Sequence, residues 1–515
     1  MARALMQTFH SAIEAAETYS PAEEQFNRRR RSAGTVLAPL VFFGLWLAPL
    51  GGLSPQAQSM AAVMGLVIVL WLSEAMPLAV TAMLGPTLAI VLGVAPARQA
   101  LAPFADPIIF LFIGSFMLAQ AMFVHGVDRR IAYTALSLPS VATSPARILL
   151  VYAGTCALLS MWISNTATTA MMFPIGLSIV AHLSRGAREQ PGELRRFALA
   201  MMLVTSFAAS VGGMGTPVGT PPNLIGIGML EHIAGADITF FSWMALGVPI
   251  VALLFLAMLA LFLFSSARSL PAVGSSTAMV RDELSKLGRV SVGQRNVLVA
   301  FGATVILWVL PGLLAIAGLG ETALAQRYAQ VMPEGVAAMV GAILLFFLPV
   351  DWKSRRFTMT WDQAVRIDWG IVLLYGGGLA VGELAFSTGL ATALGEGVTA
   401  WLPSQSTLAL TLLFTASAIA LSEVASNTAA ANMIIPLAIA VSQAAGVRPI
   451  EPVLGATLGA SMGFMMPIST PPNAIVYSSG YVPIGQMMRN GLVLDVAAFV
   501  VIVAVVMTLG PVIFR

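Results

Sequence analysis

The sequence predicts an all-α polytopic membrane protein built from two inverted-topology repeats, each carrying a re-entrant hairpin and a broken helix. Three observations carry that prediction. The 515 residues are 58% hydrophobic and only 10% charged, with a mean hydropathy of +0.88, whereas a soluble domain carries roughly 25% charged residues. Apolar runs such as 35–50, 61–72, 296–318 and 490–513 are too long and too numerous for a soluble core and need lipid to face them. The segment SNTATTAMMFPI (164–175) recurs as SNTAAANMIIPL (426–437). A soluble enzyme, a disordered chain and a nucleic-acid partner are excluded. The runs are apolar at nearly every position for about 20 residues, where a barrel strand alternates over about 10, so the spans are helices.

The charges place the chain in the bilayer. Lys and Arg number 26 against 23 Asp and Glu, a surplus too small to suggest an anionic partner, so their distribution carries the information. The polar segment 1–34 has no signal-peptide core and ends in Arg28, Arg29, Arg30 and Arg31, which keeps the N-terminus cytoplasmic. Spans follow near 35–52, 60–73, 78–95 and 106–127, and the fourth returns the chain to the inside at Arg129 and Arg130. Segments 148–163 and 167–183 are bracketed by Arg147 and by Arg185, Arg188, Arg195 and Arg196, and they meet at the uncharged Ser164-Asn165-Thr166. That junction suits a re-entrant hairpin (148–183) whose tip stops at membrane depth, where non-helical backbone is tolerated only if buried or lining a cavity. The next span, 199–235, runs through Gly212, Gly213, Gly215, Thr216, Pro217, Gly219, Thr220, Pro221, Pro222 and Asn223, which no helix crosses unbroken. After 240–264 comes a basic cytoplasmic linker, 265–295, which separates repeat 1 (35–264) from repeat 2 (296–515).

The second half repeats the parts of the first. The SNT segments align without a gap at a register of 262, and the same frame takes Asp106 to Asp368 and Gly114 to Gly376. GTPPN (219–223) is echoed by STPPN (469–473), with Gly213 and Pro217 matched by Gly463 and Pro467. Spans 296–318 and 335–350 lead to Lys353, Arg355 and Arg356, so the span from about 367 runs outward while its partner from Asp106 runs inward. The repeat is therefore inverted. The second hairpin (408–443) enters from the outside, the second broken helix covers 452–488, and the C-terminus lies outside. Inverted repeats with paired interrupted helices point to a secondary transporter with its site near the midplane.

The paired motifs have a definite chemistry. Thr220 and Thr470 are suited to helix N-caps and Pro221 and Pro471 to first turns. With the two SNT tips, four helix N-termini can converge, each offering free N–H groups and a partial positive charge to an anion. The carbonyls that close the first hairpin legs, with Ser160, Ser164 and Asn165 or Ser422, Ser426 and Asn427, form cages of neutral oxygens fit for a small hard cation. No Lys or Arg lies in 148–184, 197–230, 408–447 or 453–488, so a bound anion is neutralised by dipoles, hydroxyls, amides and co-bound cations. Glu423 beside Ser422 is an intramembrane carboxylate and a functional candidate, as are Glu74 and Glu383 nearer helix ends. Asp106 and Asp368 read as N-caps. His10, His125, His182 and His232 show no ligand spacing, and the single Cys156 reads as a packing residue and excludes a disulfide framework.

These residues resemble the divalent anion/sodium symporter family of dicarboxylate, tricarboxylate and sulfate transporters. The resemblance rests on SMWISNT (160–166), SEVASNT (422–428), GTPPN, STPPN and WLSEAMPLAVTAML (71–84), and the order of parts covers about 35–513. It implies about eleven membrane-spanning helices plus two hairpins, a homodimer with a scaffold and a moving transport domain, an elevator motion, and a place in the plasma or inner membrane. It implies one sodium site at Ser160, Ser164, Asn165 and the Gly219 carbonyl, and another at Ser422, the Ala425 carbonyl, Asn427 and the Ser469 carbonyl. Substrate carboxylates are expected at Ser164, Asn165, Thr166, Ser426, Asn427 and Thr428 and at the turns of Thr220, Pro221, Thr470 and Pro471. The expected function is sodium-coupled transport of di- or tricarboxylates, with a C4 dicarboxylate such as succinate favoured because the linker has no soluble insertion; no organic cofactor is expected. The alternatives are a dicarboxylate exchanger, or a sulfate, citrate–metal or arsenite-type transporter of related architecture. An intramembrane enzyme would need a nucleophile–base pair or metal triad at depth, and the sequence offers neither.

Overall fold

Hydrophobic runs broken by proline and glycine become helices of unequal length, and the chain is almost wholly helical. The computed structural model describes residues 21–141, 144–186, 191–266 and 276–514. Residues 1–20 of the N-terminal segment and 267–275 of the linker lie outside the described residues. The first half comprises α1 (Pro21–Leu47), α2 (Pro55–Ser73), α3 (Leu78–Val91), the short α4 (Ala97–Leu101), α5 (Pro107–His125), α6 (Val127–Leu136), α7 (Pro145–Ser160), α8 (Asn165–Gly186), α9 (Pro191–Gly213), α10 (Pro221–Ala234) and α11 (Phe240–Ser266). The linker carries α12 (Ser276–Lys286). The second half comprises α13 (Val292–Ile316), α14 (Ala323–Val331), α15 (Glu334–Phe347), a two-stranded ribbon of β1 (Pro349–Asp351) and β2 (Arg356–Phe357), and the single turn α16 (Trp361–Ala364). It continues with α17 (Trp369–Ser387), α18 (Leu390–Thr399), α19 (Thr407–Val424), α20 (Asn427–Ala444), α21 (Ile450–Gly459), α22 (Pro471–Tyr477) and α23 (Ile484–Ile513). Among the described residues, nine helices are long and apolar enough to cross a membrane, or ten if α14 and α15, which meet at 65°, count as one span.

Local sequence explains the helix ends. Proline occupies the first turn of α2, α5, α7, α10 and α22, where its missing N–H costs nothing. Asp106 caps α5 by accepting from Ile108 N at 2.8 Å, and Asp368 caps α17 by accepting from Ile371 N at 3.3 Å, as the sequence predicts. Three elements outside the predicted spans stand out. Helices α6 and α18, ten residues each, follow α5 and α17 and bury only one face, through Val127, Ala132 and Leu136 in the first and Leu390, Ala391 and Gly395 in the second. The β ribbon is the third, a tight turn through Arg355 at φ 51°.

Helices α5 and α17 have 19 residues each and start 262 positions apart, at 107 and 369. Packing divides the helices into two bodies: α7–α11 with α19–α23, and α1–α5 with α13–α17, bridged in part by α6 against α7 and α18 against α20. In each body the halves interlock. Helix α5 packs on α15 while α17 packs on α3; α8 packs on α22 while α10 packs on α20. Small residues allow the approach, as lipid-embedded helices require: a Cβ on Gly114 would sit 2.6 Å from the Ala338 carbonyl carbon, and Gly377 meets the backbone of Ala82 in the matching contact. The centre of the first body is dry, with every residue from 201 to 220 and from 451 to 464 buried.

Gly114→Val should therefore separate α5 from α15 and cost about 1–3 kcal/mol of overpacking, read as a lower unfolding temperature in detergent. Gly44→Val, where a Cβ meets nothing within 4 Å, should leave that temperature unchanged.

Candidate functional site

Backbone leaves the helix at four places inside the first body, and the side chains around those places form the candidate site. Near the end of each hairpin's first leg a serine turns its hydroxyl to the asparagine opening the second leg. Ser160 Oγ lies 2.7 Å from Asn165 Oδ1, and Ser422 Oγ lies 2.7 Å from Asn427 Oδ1. Ser422 Oγ is also 2.9 Å from the Ala460 carbonyl, at the end of α21. The next serine caps the second leg: Ser164 Oγ accepts from Ala167 N at 3.3 Å and Ser426 Oγ from Ala429 N at 3.2 Å. Ser160 and Ser422 are buried, while Ser164-Asn165-Thr166 and Ser426-Asn427-Thr428 are all half-buried. The amide Nδ2 of Asn165 and of Asn427 and the hydroxyls of Thr166 and Thr428 carry no hydrogen bond among the described residues. Oxygens thus gather on the inner side of each tip and donors on its open side.

The broken helices bring their loops onto these tips. Gly213 at the end of α9 abuts the Asn165 carboxamide so closely that a Cβ would overlap it, and Gly463 lies against Ser422 and Ser469, with a Cβ 3.1 Å from Ser422 Oγ. Both loops make the same turn, Gly219 N donating to Thr216 O at 3.3 Å and Ser469 N to Met466 O at 3.2 Å. The turns place Gly219 and Ser469 immediately before the two Thr-Pro-Pro-Asn starts. Thr470 caps α22 through its hydroxyl, which accepts from Asn473 N at 3.4 Å. Thr220 occupies the same position without a side-chain cap bond, because Asn223 N is taken by the Thr220 carbonyl at 3.2 Å; the sequence expectation of a hydroxyl cap there is corrected. Pro221 is half-buried and Pro471 exposed. Across the halves, the second leg of the first hairpin packs on α22 and the second leg of the second hairpin on α10.

Three groups were missed or underread. Asn223 and Asn473, the last residues of the matched motifs, are fully buried clips: Asn223 Nδ2 donates to Gly213 O at 3.0 Å and Thr216 O at 2.8 Å, and Asn473 Nδ2 donates to Gly463 O at 2.8 Å and Met466 O at 3.0 Å. Ser206 of α9 donates to Asn473 Oδ1, joining the two halves. Their place in the repeated motif was the available signal. Arg30, far away in sequence, reaches the second tip: its Nη1 is 3.3 Å from the Val424 carbonyl and its Nη2 pairs with Glu74 at 2.8 Å. His232 on α10 pairs with Asp106 of the second body, and its Nδ1 lies 3.4 Å from Glu383; Tyr375 donates to Asp106 at 3.0 Å. Glu74 therefore serves an ion pair, and Glu383 a contact with His232, across helix boundaries.

The family model described as the sodium:sulfate symporter transmembrane region matches residues 30–515. A protein named sodium-dependent dicarboxylate transporter SdcS from Staphylococcus saprophyticus is 32% identical over 483 residues, covering 93% of this chain and 91% of its own. Its namesake from Staphylococcus aureus strain MRSA252 is 32% identical over 490 residues, with the same coverage of 93% and 91%. Among solved structures, the YdaH transporter of Alcanivorax borkumensis superposes with a TM-score of 0.50 at 13% identity, covering 80% of this chain and 88% of that one, a likeness of fold.

The asparagine clips can be tested directly. Asn223→Asp and Asn473→Asp keep the shape but turn a carboxylate oxygen toward two carbonyls, and each should cost on the order of 2–4 kcal/mol of stability. Ser206→Ala, which removes only the link between halves, should cost about 1 kcal/mol. Thermal unfolding of the purified variants in detergent measures all three.

Proposed function

The chain belongs to the divalent anion/sodium symporter family, a family of membrane transporters, and on that premise we propose that it couples sodium to the movement of di- or tricarboxylates, with a C4 dicarboxylate such as succinate as its preferred cargo. The observation that carries the reading is the pair of matched tips, where a serine hydroxyl and an asparagine carbonyl oxygen converge at 2.7 Å in both halves. Beside each tip lies a turn whose next helix starts at Pro-Pro. Neutral oxygens at the core of a tip suit a small hard cation, and the helix N-termini beside them suit a carboxylate.

In this reading one sodium site uses Ser160, Ser164, Asn165 and the Gly219 carbonyl, and the other uses Ser422, the Ala425 carbonyl, Asn427 and the Ser469 carbonyl. The substrate lies between the tips, on Thr166 and Thr428, the outer amides of Asn165 and Asn427, the Ser164 and Ser426 turns, and the N-termini at Thr220, Pro221, Thr470 and Pro471. An amide with its oxygen toward the cation and its NH₂ toward the anion serves both ligands, which links their affinities. The two bodies divide the work: the one holding the tips carries the cargo, the other is the scaffold and the contact face of a homodimer, and an elevator motion in the plasma or inner membrane gives alternating access. The repeats are inverted, so that hairpin 148–183 opens to the cytoplasm and hairpin 408–443 to the outside.

Uptake of labelled succinate into proteoliposomes, with and without a sodium gradient, tests the function. Succinate binding should tighten as sodium rises, since linkage obliges each ligand to help the other by the same factor; affinity equal in sodium and in a bulky organic cation rejects sodium coupling and leaves exchange. Thr166→Val and Thr428→Val remove one hydrogen bond to a charged acceptor, worth about 1.5–3 kcal/mol. They should raise the apparent succinate constant while sodium affinity without substrate holds. Topology is read in a Cys156→Ala background with an impermeant thiol reagent: Arg195→Cys should label from the cytoplasm and Gln405→Cys from outside, and labelling of both from one side would refute the inversion.

A further inference from the structure

Where α10 of the first body packs on α17 of the second, the approach is close. A Cβ on Gly228 would overlap the Tyr375 hydroxyl, and one on Gly382 would lie 3.6 Å from Ile233 Cδ1. At the last turn of α10 this packing gives way to a polar contact. His232 pairs through Nε2 with Asp106 Oδ2, its Nδ1 lies 3.4 Å from Glu383 Oε1, and Asp106 Oδ1 accepts from the Tyr375 hydroxyl at 3.0 Å. One imidazole of the first body thus stands between two carboxyl groups of the second.

Helix capping does not account for this cluster. Asp368, the counterpart of Asp106 in the 262-residue frame, caps α17, stands exposed and makes no ion pair among the described residues. The same frame sets Ile113 against Tyr375 and Ala121 against Glu383, and the 250-residue offset of the two proline motifs sets Val482 against His232. The cap is repeated, but its three partners are not.

A neutral imidazole has one N–H, so between two carboxylates it can serve only one and turns a lone pair to the other, whereas imidazolium serves both. No competing cation is at hand, for among the described residues no Lys or Arg pairs with Asp106 or Glu383. The other ionisable groups near the ring are Glu231 on its own helix and, beyond it, Asp237, both exposed. Helices α20 and α21 also pack on α10; α20 carries no charged residue, and Glu451 of α21 lies against Gly510 of α23. Asp106 is 4% exposed, while the His232 and Glu383 side chains are each 36% exposed, so a proton can reach the ring with the carboxyl group behind it sealed.

We propose that His232 is a positioning residue for transport, a latch whose imidazolium form ties the first body to the second at this end of their seam and holds the two in the arrangement seen here. Loss of the proton leaves one carboxylate unserved and loosens the tie, so acid favours this arrangement. The inference rests on the reading of a carrying body that moves against a scaffold.

Spin labels on Glu321→Cys in the second body and on Gln405→Cys beside α19 of the first, both exposed, report the arrangement as a distance distribution in a Cys156→Ala background, in lipid and without ligands. At pH about 5.5 and about 8.5, which bracket the ordinary imidazole value, the parent should favour the distance of this arrangement about three- to fivefold more in acid, the scale of a partly exposed ion pair. His232→Gln should show at both pH values the distribution that the parent shows at the higher one. His232→Lys, whose charge does not titrate in this range, should show at both the distribution of the parent in acid. Glu383→Gln removes one anchor from the other body and leaves the Asp106 cap alone; it should shrink the response to pH, and it keeps the test open should the His232 variants not fold. A His232→Gln protein that responds to pH like the parent, or a parent with two distances whose proportions ignore pH, overturns the proposal. One unchanging distance in parent and variants alike overturns instead the reading of moving bodies on which it rests.

Discussion

Unwound backbone in the dry centre of a lipid-embedded protein must find all its hydrogen-bond partners within the protein, and that constraint shapes the core of this molecule. Water is not at hand to satisfy a loose carbonyl, and each buried orphan costs several kcal/mol. The loops at 213–220 and 463–470 meet the demand with one side-chain amide each, Asn223 and Asn473, which clips two carbonyls seven and ten positions back along the chain. With those carbonyls spent, the remaining oxygens of the loop can face the hairpin tips. A loop so held keeps a non-helical path without leaving those carbonyls unpaired.

The crossing of the two halves follows from the same economy. A hairpin tip is a pair of helix ends with unsatisfied groups on both sides, and the proline-started helix of the other half packs on its second leg. The interlock of α5 with α15 and of α17 with α3 repeats the arrangement in the second body. Between the bodies stand few polar links. His232 between Asp106 and Glu383 and Arg30 between Glu74 and the Val424 carbonyl are such links, and each touches an element that bears a tip or a Pro-Pro turn.

Much of this was legible in the sequence, for physical reasons that also mark where legibility ended. Apolar runs give helices because lipid leaves the backbone no alternative, and the paired SNT and TPPN segments located the helix breaks to within a few residues. The short helices α6 and α18 were missed because ten half-polar residues have no span-length signal, and the ribbon at 349–357 because it is a local turn. Thr220 was expected to cap like Thr470, yet the same pattern allows either the hydroxyl or the carbonyl to take the Asn223 N–H. Long-range pairings such as Arg30 with Glu74, Ser206 with Asn473 and His232 with Asp106 depend on how helices distant in sequence pack, which no local pattern records.

The charge inventory bears on why a carrier of this build must couple its ligands. The body with the tips has no Lys or Arg in 197–230, 408–447 or 453–488, and Arg30, which reaches the second tip, is spent on Glu74, so on the proposed reading an anion arriving alone meets chiefly dipoles, whose stabilisation falls short of its lost hydration. Sodium arriving first supplies the missing charge and, through the asparagine amides, orients the donors that the anion needs. The full complement is then close to neutral and can pass an apolar boundary, whereas the body with anion but no cation would carry uncompensated negative charge across it. Coupling in such a molecule needs no separate gate that senses both ligands. It follows from leaving unpaired fixed positive charge out of the binding region and from letting the travelling cation take its place.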